Sequence, residues 1–228
     1  MLGLSLTGVE SVVAIGAHPD DIEIAAGGLL LSLAAARPGL RVHYVLCSGT
    51  PERHAEARAA ASAFLPGARL SFALHDLPDG RLPAHWGAVK DILRDAVDVL
   101  TPDVVLCPAT NDAHQDHRLL AEQVPTVFRD QFVLHYEIPK WDGDLARRNT
   151  YLPMPDALAR RKVELLHASF PSQKARDWWD DEVFLGLARL RGMECREHYA
   201  EAFDCAKAVL RLTTVEPVPS VSPACPSQ

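Results

Sequence analysis

Residues 11–28 read SVVAIGAHPDDIEIAAGG, and this stretch decides how the chain folds. Its first seven residues are small or apolar and include three β-branched side chains, which is typical of a strand buried on both faces of a parallel sheet. The polar loop HPDD follows, and then an Ala/Leu-rich segment that favours a helix until Pro38 and Gly39. The stretch therefore predicts a buried strand, a polar loop and a helix.

The same order of strand, polar loop and helix recurs along the first half of the chain. The predicted strands are Ser11–Ala17, Arg41–Cys47, Leu70–Leu74 and Asp103–Cys107. The predicted helices are residues 22–36, 52–65, 87–100 and 116–124. Strands that alternate with helices in this way indicate βαβ units. The sequence therefore predicts an α/β fold, a Rossmann-like doubly wound and mostly parallel sheet with helices on both faces.

The second half of the chain is less regular. Its predicted elements are a strand at residues 132–138 and helices at 156–168 and 181–191. Because no internal repeat interrupts the pattern, we expect one domain over residues 1–214. The remaining residues, 215–228, read VEPVPSVSPACPSQ, and this Pro-rich composition predicts a disordered tail.

The charge balance and the cysteines exclude several classes of protein. Lys and Arg total 23 against 30 for Asp and Glu, a net charge of −7 without a basic cluster, so we expect no nucleic-acid partner. No apolar run reaches the about 20 residues of a membrane span, and the N-terminus lacks the basic region of a signal peptide. The 5 cysteines contain no CxxC pair, which argues against a disulfide framework and a thiolate zinc finger. We expect a cytoplasmic protein whose metal ligands, if it has any, are histidine and carboxylate.

Polar loops follow all four predicted strands of the first half. They read HPDD, CSGTPER, HDLPDG and PATNDAHQDH in chain order. In doubly wound sheets, ligands bind beyond the carboxyl ends of the strands. We therefore expect these four loops to lie on the same rim of the sheet.

Two explanations fit the first of these loops, His18 to Asp21. Asp20 or Asp21 can cap the following helix, with His18 present by coincidence. Alternatively, His18 and Asp21 hold a divalent metal ion, and Asp20 faces an open coordination position. The loop taken alone favours neither explanation.

The loop after the fourth strand favours the metal site. His114 and His117 stand in HQDH, and the topology brings them to the rim that carries HPDD. Histidines from one loop and a His/Asp pair from another make the typical ligand set of a catalytic zinc site, which has three protein ligands and a water. Asp116 and Asp112 are predicted to orient one of these histidines or to cap the following helix.

The two histidine motifs together resemble those of a known family. AHPDDIEIAAGG at residues 17–28, followed by HQDH at residues 114–117, is similar to the PIG-L/LmbE-like family of zinc-dependent N-acetylglucosamine deacetylases. The similarity extends to SGTPERHAEAR, DLPDGRL and RGMECREHYAEAF. Two motifs in the correct order are a far more specific signal than either motif alone. The resemblance implies an enzyme that removes the acetyl group from an amino-sugar conjugate, a small-molecule substrate.

The resemblance also implies a role for individual residues. The implied zinc ligands are His18, Asp21 and His117. The implied catalytic residues are Asp20, as general base, and His114, which faces the substrate carbonyl and donates to the oxyanion if it is protonated. Arg53 and Asp79 occupy places where relatives contact sugar hydroxyls or a neighbouring group. Zn²⁺ is the implied ion, and other divalent ions such as Fe²⁺ suit the same ligands.

Aromatic residues make up only 7% of the chain, so two tryptophan sites stand out. Trp141 lies in KWDGD, and an aromatic ring near acidic groups is typical of sugar contacts. We expect Trp141 to form part of the substrate wall, although such a residue is more often a packing residue. The same packing role is the expectation for Trp178 and Trp179.

Two alternatives to the deacetylase remain open from the sequence. A metal ion with a neighbouring base also serves a metal-dependent esterase or phosphoesterase. The absence of a Lys/Arg cluster near the motifs disfavours a polyphosphate substrate. The second alternative is a non-catalytic sugar-binding relative, which would be expected to have lost a ligand or the base.

Overall fold

The computed structural model describes residues 3–205 and 207–209. The strands in this part of the chain are β1 Ser11–Gly16, β2 Arg41–Ser48, β3 Arg69–Leu77, β4 Val104–Pro108, β5 Phe132–Tyr136, β6 Thr150–Met154 and β7 Tyr199–Cys205. The α-helices are α1 Asp21–Ala36, α2 Pro51–Phe64, α3 Trp86–Val99, α4 Gln115–Val127, α5 Asp156–Ser169 and α6 Asp181–Cys195. Short 3₁₀ helices precede α3 and follow α5.

These strands form one sheet in the order β3-β2-β1-β4-β5-β7-β6. Strands β1 to β5 pair in parallel, whereas β7 pairs antiparallel with both β5 and β6. The chain runs outward from β1 to β3 and then returns to the other side of β1 with β4. The strand order therefore reverses between β1 and β4, which is where doubly wound sheets bind ligands.

Alternate residues of the central strands pack on opposite faces of the sheet. In β1, Val12 and Ala14 join the apolar cluster beneath α1, α2, α5 and α6. Val13 and Ile15 join the cluster beneath α3 and α4. A strand of a parallel sheet is covered on both faces, so a continuous apolar run is required. Helices thus cover both faces, and the predicted fold class is confirmed.

The second half of the chain departs from the prediction, because the sequence does not predict β6 or β7. Pro153 in β6 argues against a strand, yet it is tolerated here because β6 lies at the edge of the sheet. In β7, the buried charge of Glu201 conceals the apolar pattern. The strand predicted at residues 132–138 ends at Tyr136. The predicted disordered tail lies outside the described residues.

The part of the chain that the structure describes contains neither a membrane-spanning helix nor a disulfide bond. No helix there combines the length and the apolar character needed to cross a membrane. Cys47, Cys107, Cys195 and Cys205 all carry free thiols.

A break in α1 separates the first turn of this helix from the remainder. Ala26 has non-helical backbone angles of φ −129° and ψ 18°, and amides beyond such a break need other acceptors. The carboxylate of Glu201 in β7 accepts hydrogen bonds from the amides of Gly28 at 2.6 Å and Leu29 at 2.8 Å. Lys162 of α5 donates to the same carboxylate at 2.7 Å. This buried ion pair therefore stabilises the break.

Candidate metal and catalytic site

The loops that follow β1 and β4 meet at the carboxyl end of the sheet. The two strands are parallel neighbours, so the loops that leave them lie side by side. The first loop supplies His18 and Asp20 and leads into Asp21, the first residue of α1. The second loop ends at His114, the N-cap of α4, and His117 lies in the first turn of that helix. The rings of His18 and His117 lie 5.2 Å apart between centroids, although 99 positions separate the two residues. The structure thus brings together the side chains that the sequence predicts to bind metal and to catalyse.

Three side-chain atoms form a nearly equilateral triangle at this point. The Nδ1 atom of His18 lies 3.2 Å from Nε2 of His117 and 3.5 Å from Oδ2 of Asp21. The Nε2 atom of His117 lies 3.2 Å from the same oxygen of Asp21. All three residues are buried.

These separations suit one divalent ion. Zinc binds histidine nitrogen at about 2.0–2.1 Å and carboxylate oxygen at about 2.0–2.2 Å, so two ligands of a tetrahedral site lie about 3.4 Å apart. Two imidazoles and one carboxylate form a donor set of the kind found in catalytic zinc sites, which keep a fourth position open. His114 also offers a ring nitrogen within 4.8 Å of those of His18 and His117, but the triangle with Asp21 is tighter. The residues present therefore fit a divalent metal ion.

Hydrogen bonds orient two members of the triangle. The Oδ2 atom of Asp21 accepts hydrogen bonds from the backbone amides of Ala17 and His18, each at 2.9 Å. The Nδ1 atom of His117 lies 2.9 Å from Oδ2 of Asp112, which directs Nε2 of the same ring into the triangle. Asp112 therefore occupies the orienting position that the sequence predicts for an acid of this loop.

The charges around the triangle stabilise a positive charge within it. Burial by itself would raise the pKa of Asp21, but His117 and His18 hold this pKa well below its usual range. Burial by itself would lower the pKa of His117, but Asp21 and Asp112 raise this pKa to about 9. The position thus favours a cation, whether the charge is carried by protons or by a metal ion.

Asp20 lies beside the triangle and forms an ion pair with Arg53. Its Oδ1 atom accepts a hydrogen bond of 2.7 Å from Nη2 of Arg53. Arg53 stands in the first turn of α2, whose N-cap Thr50 accepts a hydrogen bond from the Arg53 amide. Burial raises the pKa of Asp20, although Arg53 opposes this shift. Arg53, which is predicted to contact the substrate, thus binds directly to Asp20, the predicted general base.

His114 is the N-cap of α4. Its Nδ1 atom accepts a hydrogen bond of 3.3 Å from the backbone amide of Asp116, so a neutral ring carries its proton on Nε2. Burial lowers the pKa of His114, and the neighbouring His117 and His18 lower it further. The structure thus gives the helix-capping role to His114 rather than to Asp116.

Asp116 instead holds the loop that follows β3. Its two carboxylate oxygens accept hydrogen bonds from the amides of Gly80 at 2.7 Å and Leu82 at 3.0 Å. The preceding Asp79 reaches the rim of the site with 71% of its side chain exposed, and its Oδ1 atom lies 2.9 Å from Nε2 of His18. The sequence does not predict this contact with His18, because the position of the loop depends on the distant Asp116.

A cleft of about 250 Å³ opens above the triangle. Trp141 lines it, as the sequence predicts, together with Arg53 and Asp79. The same cleft is lined by Lys140, Gln173 and Arg176, which no sequence motif marks. Trp178, which is expected to be a packing residue, also lines the cleft. These residues follow β5 or α5, and no local motif marks them as neighbours of the segments that carry His18, His114 and His117.

A family model matches the part of the chain that contains both motifs. The model described as PIG-L: GlcNAc-PI de-N-acetylase matches residues 13–128, just over half of the chain. This range includes both loops of the triangle. No curated protein sequence matches the chain.

Solved structures share the fold at low identity. The N,N'-diacetylchitobiose deacetylase from Pyrococcus horikoshii is 20% identical, with a TM-score of 0.62 over 86% of this chain and 83% of that one. The conserved protein TT1542 from Thermus thermophilus is 21% identical, with a TM-score of 0.66 over 90% and 97%.

A third solved structure is GalB, the 4-carboxy-2-hydroxymuconate hydratase from Pseudomonas putida KT2440. It is 18% identical, with a TM-score of 0.70 over 90% of this chain and 100% of that one. At such identities the likeness shows the fold alone, and this fold serves a hydratase as well as a deacetylase. Because the family match instead covers both histidine loops and more than half of the sequence, the chain belongs to the PIG-L family.

Proposed function

We propose that this protein is a metal-dependent N-deacetylase that acts on an N-acetylated, GlcNAc-type sugar conjugate and releases acetate and a free amine. The observation that carries the proposal is the triangle of His18, Asp21 and His117 with the carboxylate of Asp20 beside it. Membership of the PIG-L family supports an amide as the bond that is broken.

His18, Asp21 and His117 would hold the ion, which we propose to be Zn²⁺; Fe²⁺ suits the same ligands. When bound, the ion would supply Lewis acidity that polarises the acetamide carbonyl and makes water a nucleophile near neutral pH. The amides of Ala17 and His18 hold the Asp21 carboxylate. Asp112 holds the His117 ring in the orientation that presents Nε2.

Asp20 is the proposed general base. Arg53 binds its Oδ1 atom, so the second oxygen can take a proton from the attacking water and deliver it to the amine nitrogen as the C–N bond breaks. Burial raises the pKa of Asp20, which suits a carboxylate that must first accept a proton and then release it.

His114 is the proposed donor to the oxyanion. Its Nδ1 atom accepts the amide hydrogen of Asp116, so its Nε2–H group can donate to the carbonyl oxygen while the ring is neutral. The neutral ring can therefore donate, as well as the protonated ring considered from the sequence. A donor of this kind contributes most in the transition state, where the negative charge on the oxygen is largest.

Arg53, Asp79 and Trp141 are the proposed contacts to the sugar. Arg53 lines the cleft beside Asp20, so its guanidinium can donate to a sugar hydroxyl. Asp79 at the rim offers a carboxylate to a second hydroxyl, and Trp141 provides an apolar face.

The test is acetate release by the zinc-loaded protein from N-acetylglucosamine and its glycosides, beside matched ester and phosphoester substrates. Asp20→Asn should retain zinc and lose activity by a factor on the order of a hundred or more. His117→Ala should lose zinc, whereas the exposed control His198→Ala should keep both zinc and activity. Stoichiometric zinc in His117→Ala, or turnover of the ester or phosphoester substrates without acetate release from any N-acetylated sugar, would overturn the proposal.

A further inference from the structure

The irregular segment between β5 and β6 contacts the loop that leads into α4. The Nζ atom of Lys140 lies 3.0 Å from Oδ1 of Asp112. The Oδ2 atom of Asp144 accepts a hydrogen bond of 2.6 Å from the backbone amide of Ala113. The family match ends at residue 128, so these contacts come from a part of the chain that the family motifs do not describe.

Arg148 adds a third contact from the same segment. Its Nη1 atom donates a hydrogen bond of 2.9 Å to Oδ1 of Asn111. Its Nε atom donates to Oε2 of the buried Glu137 at 3.1 Å, which anchors Arg148 at the end of β5. Side chains from residues 140–148 therefore hold three consecutive residues, 111–113, just before α4 begins.

The ammonium group of Lys140 lines the cleft, but its hydrogen-bond donors are directed into the protein. An ammonium group has three N–H donors. The Nζ atom lies 3.0 Å from Oδ1 of Asp112, 2.6 Å from Oδ2 of Asp144 and 3.4 Å from the backbone oxygen of Ile138. Only 10% of the Lys140 side chain is exposed. Because every donor has an acceptor within the protein, this lysine is not placed to bind substrate.

Asp112 is the carboxylate that links Lys140 to the metal site. Its Oδ2 atom lies 2.9 Å from Nδ1 of His117, and its Oδ1 atom accepts a hydrogen bond of 2.8 Å from the backbone amide of His114. Asp112 is only 3% exposed, and a buried carboxylate is costly without a positive partner. Among the described residues, Lys140 is the only lysine or arginine whose side chain lies within ion-pair distance of Asp112.

A bound metal ion makes this positive partner necessary. An imidazole that binds a metal ion is neutral, so His117 would no longer offset the charge of Asp112. The Nδ1–H group of that ring would still donate to the carboxylate, and such a partner makes the coordinating Nε2 atom more basic. In this state Lys140 supplies the charge that compensates the buried Asp112.

We propose that Lys140 is a positioning residue of the metal site. Its ammonium group offsets the charge of Asp112 and fixes this carboxylate, so that Nε2 of His117 is presented to the ion. The inference rests on the proposed function for the presence of a metal ion at the triangle. It adds a residue that acts through Asp112 rather than through the substrate.

Zinc affinity, measured by competition with a fluorescent chelator, tests this role without any substrate. Lys140→Met removes the charge and keeps a long side chain, and it should weaken zinc binding about tenfold, the lower end of the range for residues that orient metal ligands. Lys140→Gln takes its place if that variant does not fold. Lys174→Met, an exposed position without a side-chain hydrogen bond among the described residues, should bind zinc as the wild type does. An unchanged affinity in the Lys140 variants would overturn the inference.

Lys140→Arg tests whether the charge is what matters. A guanidinium group also pairs with carboxylates, so this variant should recover most of the affinity that Lys140→Met loses. A loss as large as that of Lys140→Met would overturn the inference, because the charge would then contribute nothing.

A double variant shows whether the effect passes through Asp112. Asparagine at this position carries no charge to offset, so Lys140→Met should weaken zinc binding much less in Asp112→Asn than in the wild type. Equal losses in the two backgrounds would overturn the inference, since Lys140 would then act by another route.

Kinetics at saturating zinc separate a positioning role from substrate binding. In acetate release from N-acetylglucosamine, Lys140→Met should keep the KM of the wild type. A raised KM with an unchanged zinc affinity would overturn the inference and make Lys140 a substrate-binding residue. If the wild type binds zinc but releases no acetate, the proposed deacetylase fails and the zinc affinities alone decide the role of Lys140. A wild type that binds no divalent ion would overturn both.

Discussion

The carboxylate of Glu201 accepts a hydrogen bond of 2.6 Å from the backbone amide of Gly28, although 173 positions separate the two residues. A Cβ atom at position 28 would lie 3.0 Å from Oε1 of Glu201 and 2.2 Å from Sδ of Met154, so this close approach requires glycine. The contact joins β7 to the helix whose first turn carries Asp21. The glycine pair after HPDD therefore serves the packing of α1 and not a phosphate-binding loop.

Glu201→Gln should destabilise the fold by about 3 kcal/mol, because Lys162 would remain buried without its charged partner. Urea unfolding followed by circular dichroism measures this difference. The matched control is Glu164→Gln, which removes the exposed ion pair with Arg161 and should change stability by less than about 0.5 kcal/mol. Equal midpoints for the two variants would contradict the prediction.

Gly192→Ala should destabilise the protein by about 1–3 kcal/mol. A Cβ atom at position 192 would lie 2.3 Å from the backbone oxygen of His198 and 2.8 Å from Cα of Tyr199. Backbone atoms cannot move aside as the end of a side chain can, so α6 would have to shift away from β7.

Gly186→Ala is the control for this prediction, because it lies in the same helix and its Cβ would meet nothing within 4 Å. Alanine there should leave stability unchanged or raise it by up to about 1 kcal/mol. Thermal unfolding compares the two variants directly. A Gly192→Ala protein that is as stable as Gly186→Ala would refute the tight packing of α6 on β7.

Asp112→Asn should weaken zinc binding by about 10–100-fold while the fold is retained. The carboxylate holds Nδ1 of His117 at 2.9 Å, and a neutral amide would leave that imidazole less basic and less firmly oriented. Competition with a fluorescent zinc chelator measures the affinity. Asp130→Asn, an exposed position without a side-chain hydrogen bond among the described residues, should bind zinc as the wild type does. An unchanged affinity in Asp112→Asn would exclude the orienting role.

Asp103 should make stability depend on pH. Its Oδ2 atom accepts hydrogen bonds from the Glu10 amide, the Ser11 amide and the Ser11 hydroxyl, at 2.8, 2.9 and 2.8 Å. Burial by itself would raise the pKa of Asp103, but these hydrogen bonds lower it. The folded-state pKa of Asp103 therefore lies below the unfolded value of about 3.9. The ionised carboxylate stabilises the fold fully above that pH, and this stabilisation is lost as the pH falls through the folded-state pKa.

The difference in stability between the wild type and Asp103→Asn should therefore be larger at pH 7 than at pH 3. Unfolding free energies at the two pH values test this, and Asp98→Asn, an exposed position, serves as the control. A difference that stays constant between pH 7 and pH 3 would refute the assigned cause.

Much of the site could be predicted because its chemistry is local in sequence. His18, Asp20 and Asp21 are nearly consecutive, His114 and His117 stand together in HQDH at the start of α4, and the alternation of strands with helices brings both segments to one rim. The role of Asp116 could not be predicted, since its partners are the amides of Gly80 and Leu82 on another loop.

By itself, the sequence determined the parallel half of the sheet and the residue types of the triangle, because apolar periodicity and side-chain chemistry are read residue by residue. Only the tertiary structure decided the antiparallel edge, the ion pair of Glu201 with Lys162 and the place of Trp178 in the lining of the cleft. These features depend on contacts between distant segments, where burial and pairing outweigh local preference. The buried Glu201 breaks the apolar pattern of β7, and only its partners in space explain it.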